Sequence, residues 1–303
     1  MAFSTQHGAL VLALLSAILF SGASVIFARY SVSHSSLWMN LMKNMTALVA
    51  FVIASIVSVT VGGESLAGFG PLSAGCFFLS GFLGLGIGDY FLFRGYQRIG
   101  SARTLLVFSL SPLFLTLEGL VVFHQSINFG QAVGILLMMA CVWTISFEKF
   151  RTEGHWEWAG ILFAVIGVLL DNIGIVLSRQ GFDHAPGTTA FTANVVRAVG
   201  SVIPLLLWAH FARERVFRRF GRLEWRDRTI VLFSGIMGSF LSLSLWLTAL
   251  RIGHIGGLAA VGSFNPIAAS LWEWVLLRRR PSSYLVAALG LFLAGFALLL
   301  RAT

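Results

Sequence analysis

The chain is short of the residues that cover a soluble protein. Only 11% of its 303 residues are charged, 57% are hydrophobic, and the mean hydropathy is +0.86. A soluble globular domain carries about 25% charged and ~45–50% apolar residues. No water-facing surface can be assembled from this composition, so the solvent is lipid. Cysteine is nearly absent: Cys76 and Cys141 each lie inside an apolar run, which excludes a disulfide framework and a cysteine-ligated metal site. Lysine is as rare, with only Lys43 and Lys149, so the net charge of +9 is almost entirely arginine. Catalytic signatures are missing too. There is no His-Glu-x-x-His, no Walker loop and no Gly-x-Ser-x-Gly elbow, and the histidines are scattered. Neither an enzyme activity nor a cofactor nor a bound metal is expected.

What the chain has is long apolar runs. A membrane-spanning helix needs ~20 mostly apolar residues. Ten stretches qualify: 9–29, 37–61, 73–97, 103–123, 127–147, 158–179, 188–211, 229–252, 256–277 and 283–301. The first lacks a basic leader and an obvious cleavage site, so it is read as a span and not as a signal peptide. Most connections are short. The exceptions are 148–157 and 212–228, "ARERVFRRFGRLEWRDR". The expectation is an all-α integral membrane protein with ten transmembrane helices.

The ten divide into five and five, because the chain repeats itself. "QRIGSARTLLVFSLSP" (97–112) returns as "LRIGHIGGLAAVGSFNP" (250–266). Arg98-Ile99-Gly100 aligns with Arg251-Ile252-Gly253, Glu118 with Glu273, and Pro112 falls one residue from Pro266. Upstream, "NLMK" from Asn40 to Lys43 aligns with "NVVR" from Asn194 to Arg197, and Arg29 with Arg179. Residues 1–150 and 151–303 therefore read as two five-helix repeats. Each has an odd number of spans, so the copies lie upside down relative to each other, as in secondary transporters that offer one site to either side.

The stretch "GIGDYFLFRGYQRIGSARTLLVFSLSPLF" (86–114), followed by an apolar run and "GILLMMACVWTI", resembles the EamA-type repeat of the drug/metabolite transporter superfamily. The resemblance covers nearly the whole chain as two repeats. Where members often carry Gly-Glu after spans 4 and 9, this chain has His124-Gln125 and the 278–281 region. The resemblance implies a ten-helix fold, alternating access and export of small metabolites such as amino acids.

Basic residues collect on one side. With alternate loops assigned to alternate faces, fifteen Arg and Lys fall on one face and three on the other; Lys43, Arg94 and Arg197 lie inside spans. The positive-inside rule makes the rich face, with loop 212–228, cytoplasmic and puts both termini outside. Family members usually keep both termini in the cytoplasm, so the resemblance implies the opposite. All tryptophans but Trp246 lie near the basic face, as an interfacial belt does. Loop 212–228 is read as an orientation signal lying against anionic headgroups, not as a nucleic-acid site. The expected location is the bacterial inner membrane.

Ionisable groups inside spans cost ~2.5–3.5 kcal/mol each on insertion scales, so they are functional candidates. Asp171, near the middle of span 6, and its neighbour Asn172 are the first substrate contacts, Asp171 facing an ammonium. Lys43 and Arg197, mates in spans 2 and 7, suit a carboxylate or phosphate; snorkelling to headgroups is the bland alternative, easier for Lys43. Asn40 and Asn194 accompany them. Ser111 and Asn265 precede the prolines of spans 4 and 9, where a bent helix exposes backbone. Asp89, in "GIGDYF", is a proton-coupling candidate or a packing residue. Inverted topology puts Glu118 in the same half of the membrane as Arg197, and Glu273 in the same half as Lys43, giving two candidate gating ion pairs.

The function these features point to is a secondary transporter exporting amino acids or similar small polar metabolites. One alternative is a transporter or exchanger of anionic carboxylate or phosphate metabolites; another is a non-transporting membrane sensor or scaffold. The expected partners are a small-molecule substrate and the lipid bilayer, with no nucleic acid and a homodimer left open.

Overall fold

The computed structural model describes residues 2–61, 69–111, 114, 129–154, 157–253, 258, 261, 264–278 and 280–302. Among the described residues the regular structure is entirely helical. The elements are α1 (Ala2–Ser31), α2 (Ser36–Thr60), α3 (Pro71–Ile99), α4 (Ser101–Phe108), α5 (Phe129–Glu153), α6 (Trp158–His184), α7 (Ala190–Phe211), α8 (Val216–Arg222), α9 (Trp225–Ile252), α10 (Asn265–Leu277) and α11 (Ser283–Ala302). Local chemistry marks several starts. Ser35 caps α2 by accepting from the Trp38 amide at 3.1 Å, Thr189 caps α7 through the Thr192 amide, and Pro71 occupies the first turn of α3.

Among the described residues six helices are long and apolar enough to cross a membrane: Gly8–Ser31, Ser36–Thr60, Pro71–Ile99, Trp158–His184, Ala190–Phe211 and Trp225–Ile252. Shorter apolar stretches lie in α5 and α11. Much of spans 4 and 9 lies outside the described residues. The outward faces are apolar: on α2, Val49, Ile53 and Ile56 are exposed, as lipid-facing residues must be. The chain is an integral, multi-pass membrane protein.

Contacts come in exchanged pairs. The first helix of each half packs on the third of the other, α1 on α9 and α6 on α3; α2 packs on α7, α4 on α10, and α5 on α11. The crossings are close because glycine lines them. A Cβ on Gly81 would stand 1.8 Å from the Arg197 carbonyl oxygen, and one on Gly200 would stand 2.2 Å from that of Phe78, so α3 and α7 touch backbone to backbone. On the other crossing, a Cβ on Gly238 would meet Ala23 at 2.3 Å.

Both third helices change register at the crossing. Gly81–Gly88 in α3 and Ile236–Leu241 in α9 are π-helical. Such a stretch misaligns backbone carbonyls, which in lipid must find other donors. Asn40 donates to the carbonyls of Leu85 (3.1 Å) and Gly86 (2.7 Å), and Asn44 adds a bond to Leu85 (3.0 Å). In the other half Asn194 donates to Leu243 at 3.2 Å.

Candidate functional site

The two register changes flank a cavity of about 140 Å³. Lys43 from α2, Asp89 from α3, Asp171 from α6 and Arg197 from α7 all line it. Their hydrophobic frame includes Phe20, Phe108 and Trp246, and its polar rim includes Ser111 and Asn265. Four helices from both halves thus bring two acids and two bases to one apolar-walled space, where charge interactions are screened far less than in water.

The charges are not equally engaged. Lys43 is 5% exposed, and its Nζ bonds Asp89 Oδ2 at 2.5 Å and Asn44 Oδ1 at 3.2 Å. Lys43 therefore does not snorkel. Arg197 is 2% exposed and donates from Nε to Ser80 Oγ at 3.0 Å and from Nη1 to Asn194 Oδ1 at 3.1 Å. Among the described residues no carboxylate lies within 4.0 Å of it. Asp171 is half-buried, faces the cavity, and has neither hydrogen bond nor ion pair among the described residues. Its Oδ1 lies 3.4 Å from where a Cβ on Gly84 would stand.

Several residues singled out in the sequence sit elsewhere. Asn40 and Asn194 are fully buried and do not line the cavity: Asn40 serves carbonyls within the π-helical segment of α3, and Asn194 serves one just past that of α9. Asn172 is also fully buried: its Oδ1 accepts from Ser111 Oγ, and its Nδ2 has no partner. Asn265 lines the cavity and is fastened to α1 by Ser21, which donates to its backbone carbonyl at 3.0 Å. The expected Lys43–Glu273 gate pair does not form, because Lys43 is held by Asp89. Glu273 instead accepts from Ser101 Oγ and from the Ala102 amide at 3.2 Å, capping α4, where a carboxylate meets unpaired amides. Glu118 lies outside the described residues. Sequence reading missed Ser80 and Asn44, which position Arg197 and Lys43. Serines are common in this chain, so only their place at a helix crossing singles them out.

A multi-pass helical bundle with a charged cavity where its halves cross is built as a membrane transporter. The EamA-like transporter family matches residues 7–147 and again 158–301, and the chain belongs to that family. An uncharacterized transporter of Archaeoglobus fulgidus is 24% identical over 225 residues, 73% of each chain. A solved crystal structure superposes with a TM-score of 0.68 at 17% identity, covering 98% of both chains, which is a likeness of fold. Members of the family are transporters and not enzymes.

Proposed function

We propose that the protein exports amino acids or similar small zwitterionic metabolites by alternating access. Two inverted five-helix repeats, 1–150 and 151–303, would contribute ten spans in a bacterial inner membrane. The observation that carries the reading is that Asp171 and Arg197, opposite in charge and with no ion pair between them, line one cavity. A carboxylate for an ammonium and a guanidinium for a carboxylate complement a zwitterion, and charge-assisted bonds of this kind are the strong ones. Asp89 neutralises Lys43, so the positive excess that an anion site requires is missing.

The test is counterflow in proteoliposomes with labelled neutral amino acids, dicarboxylates and phosphate esters. Neutral amino acids should exchange. Arg197→Gln should lower kcat/KM by ~30-fold or more, as truncating one side of a buried charged contact costs about 2–5 kcal/mol. Exchange of anions alone would select the anionic reading. No exchange across the whole panel would select the sensor or scaffold.

The same reading takes loop 212–228 as cytoplasmic and both termini as external. Its support is the arginine bias: the equivalent loop "GGESLAGFG" carries no Lys or Arg. Alkaline phosphatase fused after Thr303 should be active; a fluorescent protein that folds there would reverse the assignment.

A further inference from the structure

Loop 212–228 is folded, and its folding sorts its charges. α7 ends in a left-handed turn at Arg213 (φ 53°), after which the Glu214 amide donates back to the Ala209 carbonyl at 2.9 Å. α8 then lies across the end of the bundle. Val216, one helical turn before Phe220, is buried in the main core, and Phe220 packs against that core. Two of the three acidic residues turn inward, Glu214 accepting from Ser35 Oγ and Asp227 from Tyr30 Oη at 2.6 Å, both partners at the α1–α2 end, while Glu224 stays exposed. Glu214 also pairs with Arg219 at 2.7 Å. Arg228 folds back on the carbonyls of Leu223 and Gly221.

That leaves Arg213, Arg215, Arg218, Arg222 and Arg226 exposed, and none of the five has a carboxylate within 4.0 Å among the described residues. Between them stand exposed aromatics: Phe211 at 80%, Phe217 at 64% and Trp225 at 78%. Unpaired guanidiniums interleaved with exposed rings at the end of a membrane bundle are the chemistry of a headgroup layer. Aromatic rings settle at the interface, and each Arg near an anionic leaflet gains ~1 kcal/mol. Glu214 and Asp227 are held at the α1–α2 end, and Glu224 is the one exposed acid beside five unpaired arginines, so the face keeps a net positive charge. We infer that this face is a binding surface for anionic lipid headgroups, selective for acidic over zwitterionic phospholipid.

The surface is also tied to the site. The Trp38 indole N–H donates to the Val216 carbonyl at 3.1 Å, so α8 is fastened to α2, the helix that carries Lys43.

The test needs no transport. Full-length protein in neutral detergent is titrated with dibrominated phosphatidylglycerol or dibrominated phosphatidylcholine, and the Trp225 signal is taken as the difference from Trp225→Phe. Quenching by the phosphatidylglycerol should reach half-maximum at about a tenfold lower lipid fraction, a difference of ~1.4 kcal/mol. The triple variant Arg215→Gln/Arg218→Gln/Arg222→Gln should abolish the difference, as should 0.5 M salt, where the Debye length is only ~4–5 Å. These residues are exposed and away from the cavity, so the variant keeps its helicity by circular dichroism. Equal quenching by both lipids overturns the inference. So does preference retained in the triple variant, or preference abolished by millimolar inorganic phosphate, which would mark a free-phosphate site.

Discussion

Lys43 and Arg197 occupy matching places in the two halves, yet only one of them is neutralised. Lys43 meets Asp89 at 2.5 Å, whereas Arg197 rests on the neutral oxygens of Ser80 and Asn194. The cause is one substitution between the repeats. With Arg98 aligned on Arg251, position 89 corresponds to 242, and residue 242 is serine. Ser242 lines the same cavity, but its hydroxyl and carbonyl engage Ser16 of α1 at 2.8–3.2 Å. The first half therefore holds its cation in a closed pair, and the second holds its cation on neutral oxygens with no carboxylate partner among the described residues. Duplication supplies the cavity; divergence at one position gives it a polarity.

That comparison breaks or holds on stability first. Asp89→Asn strands the buried ammonium of Lys43, and removing one partner of a buried ion pair costs about 3–5 kcal/mol. Replacing both partners, Lys43→Met with Asp89→Leu, should restore most of it. Arg197→Met removes two bonds to neutral groups, each worth about 1.5–3 kcal/mol when the donor is charged, so the single losses overlap and the rescue discriminates. Denaturation in detergent followed by circular dichroism should show the double replacement recovering most of the Asp89→Asn loss, whereas adding Asp171→Leu to Arg197→Met should recover none. Recovery in both cases would mean that Arg197 is paired as Lys43 is, and the asymmetry would fall.

The separation of these roles was only half legible in the sequence. Charges inside apolar runs are visible by composition alone, which is why Lys43, Asp89, Asp171 and Arg197 stand out before any fold is known. Their convergence on one cavity does not show, because the inverted repeat puts Lys43 and Arg197 in opposite halves of the membrane and gives Asp171 no mate. The change of register in α3 and α9 does not show, because hydrogen-bond register within a helix leaves no mark in hydropathy. Without it the task of Asn40 and Asn194 is invisible, and they read as ligand contacts when they serve backbone carbonyls. Glu273 takes partners other than Lys43 for a related reason. Sharing a half of the membrane with Lys43 says nothing about the nearer amides at the start of α4, which tertiary packing brings to it. Asp89 is closer to Lys43 than any sequence rule required.

The finest cut through the comparison is to give the second half what it lacks. Ser242→Asp places a carboxylate at the position matching Asp89, and the pseudo-symmetry of the cavity predicts that it engages Arg197 as Asp89 engages Lys43. Two unit charges about 4 Å apart attract by ~4 kcal/mol at an effective dielectric constant of 20. Water in the cavity and the lost bond to Ser16 offset much of that. A residue of ~1.4 kcal/mol would still raise the KM for a neutral amino acid about tenfold, because the substrate carboxylate must now displace a resident one. The control is Ser242→Ala, which breaks the same hydroxyl bond without adding charge and should shift KM less than about twofold. Counterflow kinetics separate the two. If the aspartate variant behaves like the alanine variant, Arg197 does not receive the substrate carboxylate, and the difference between the halves is one of packing alone.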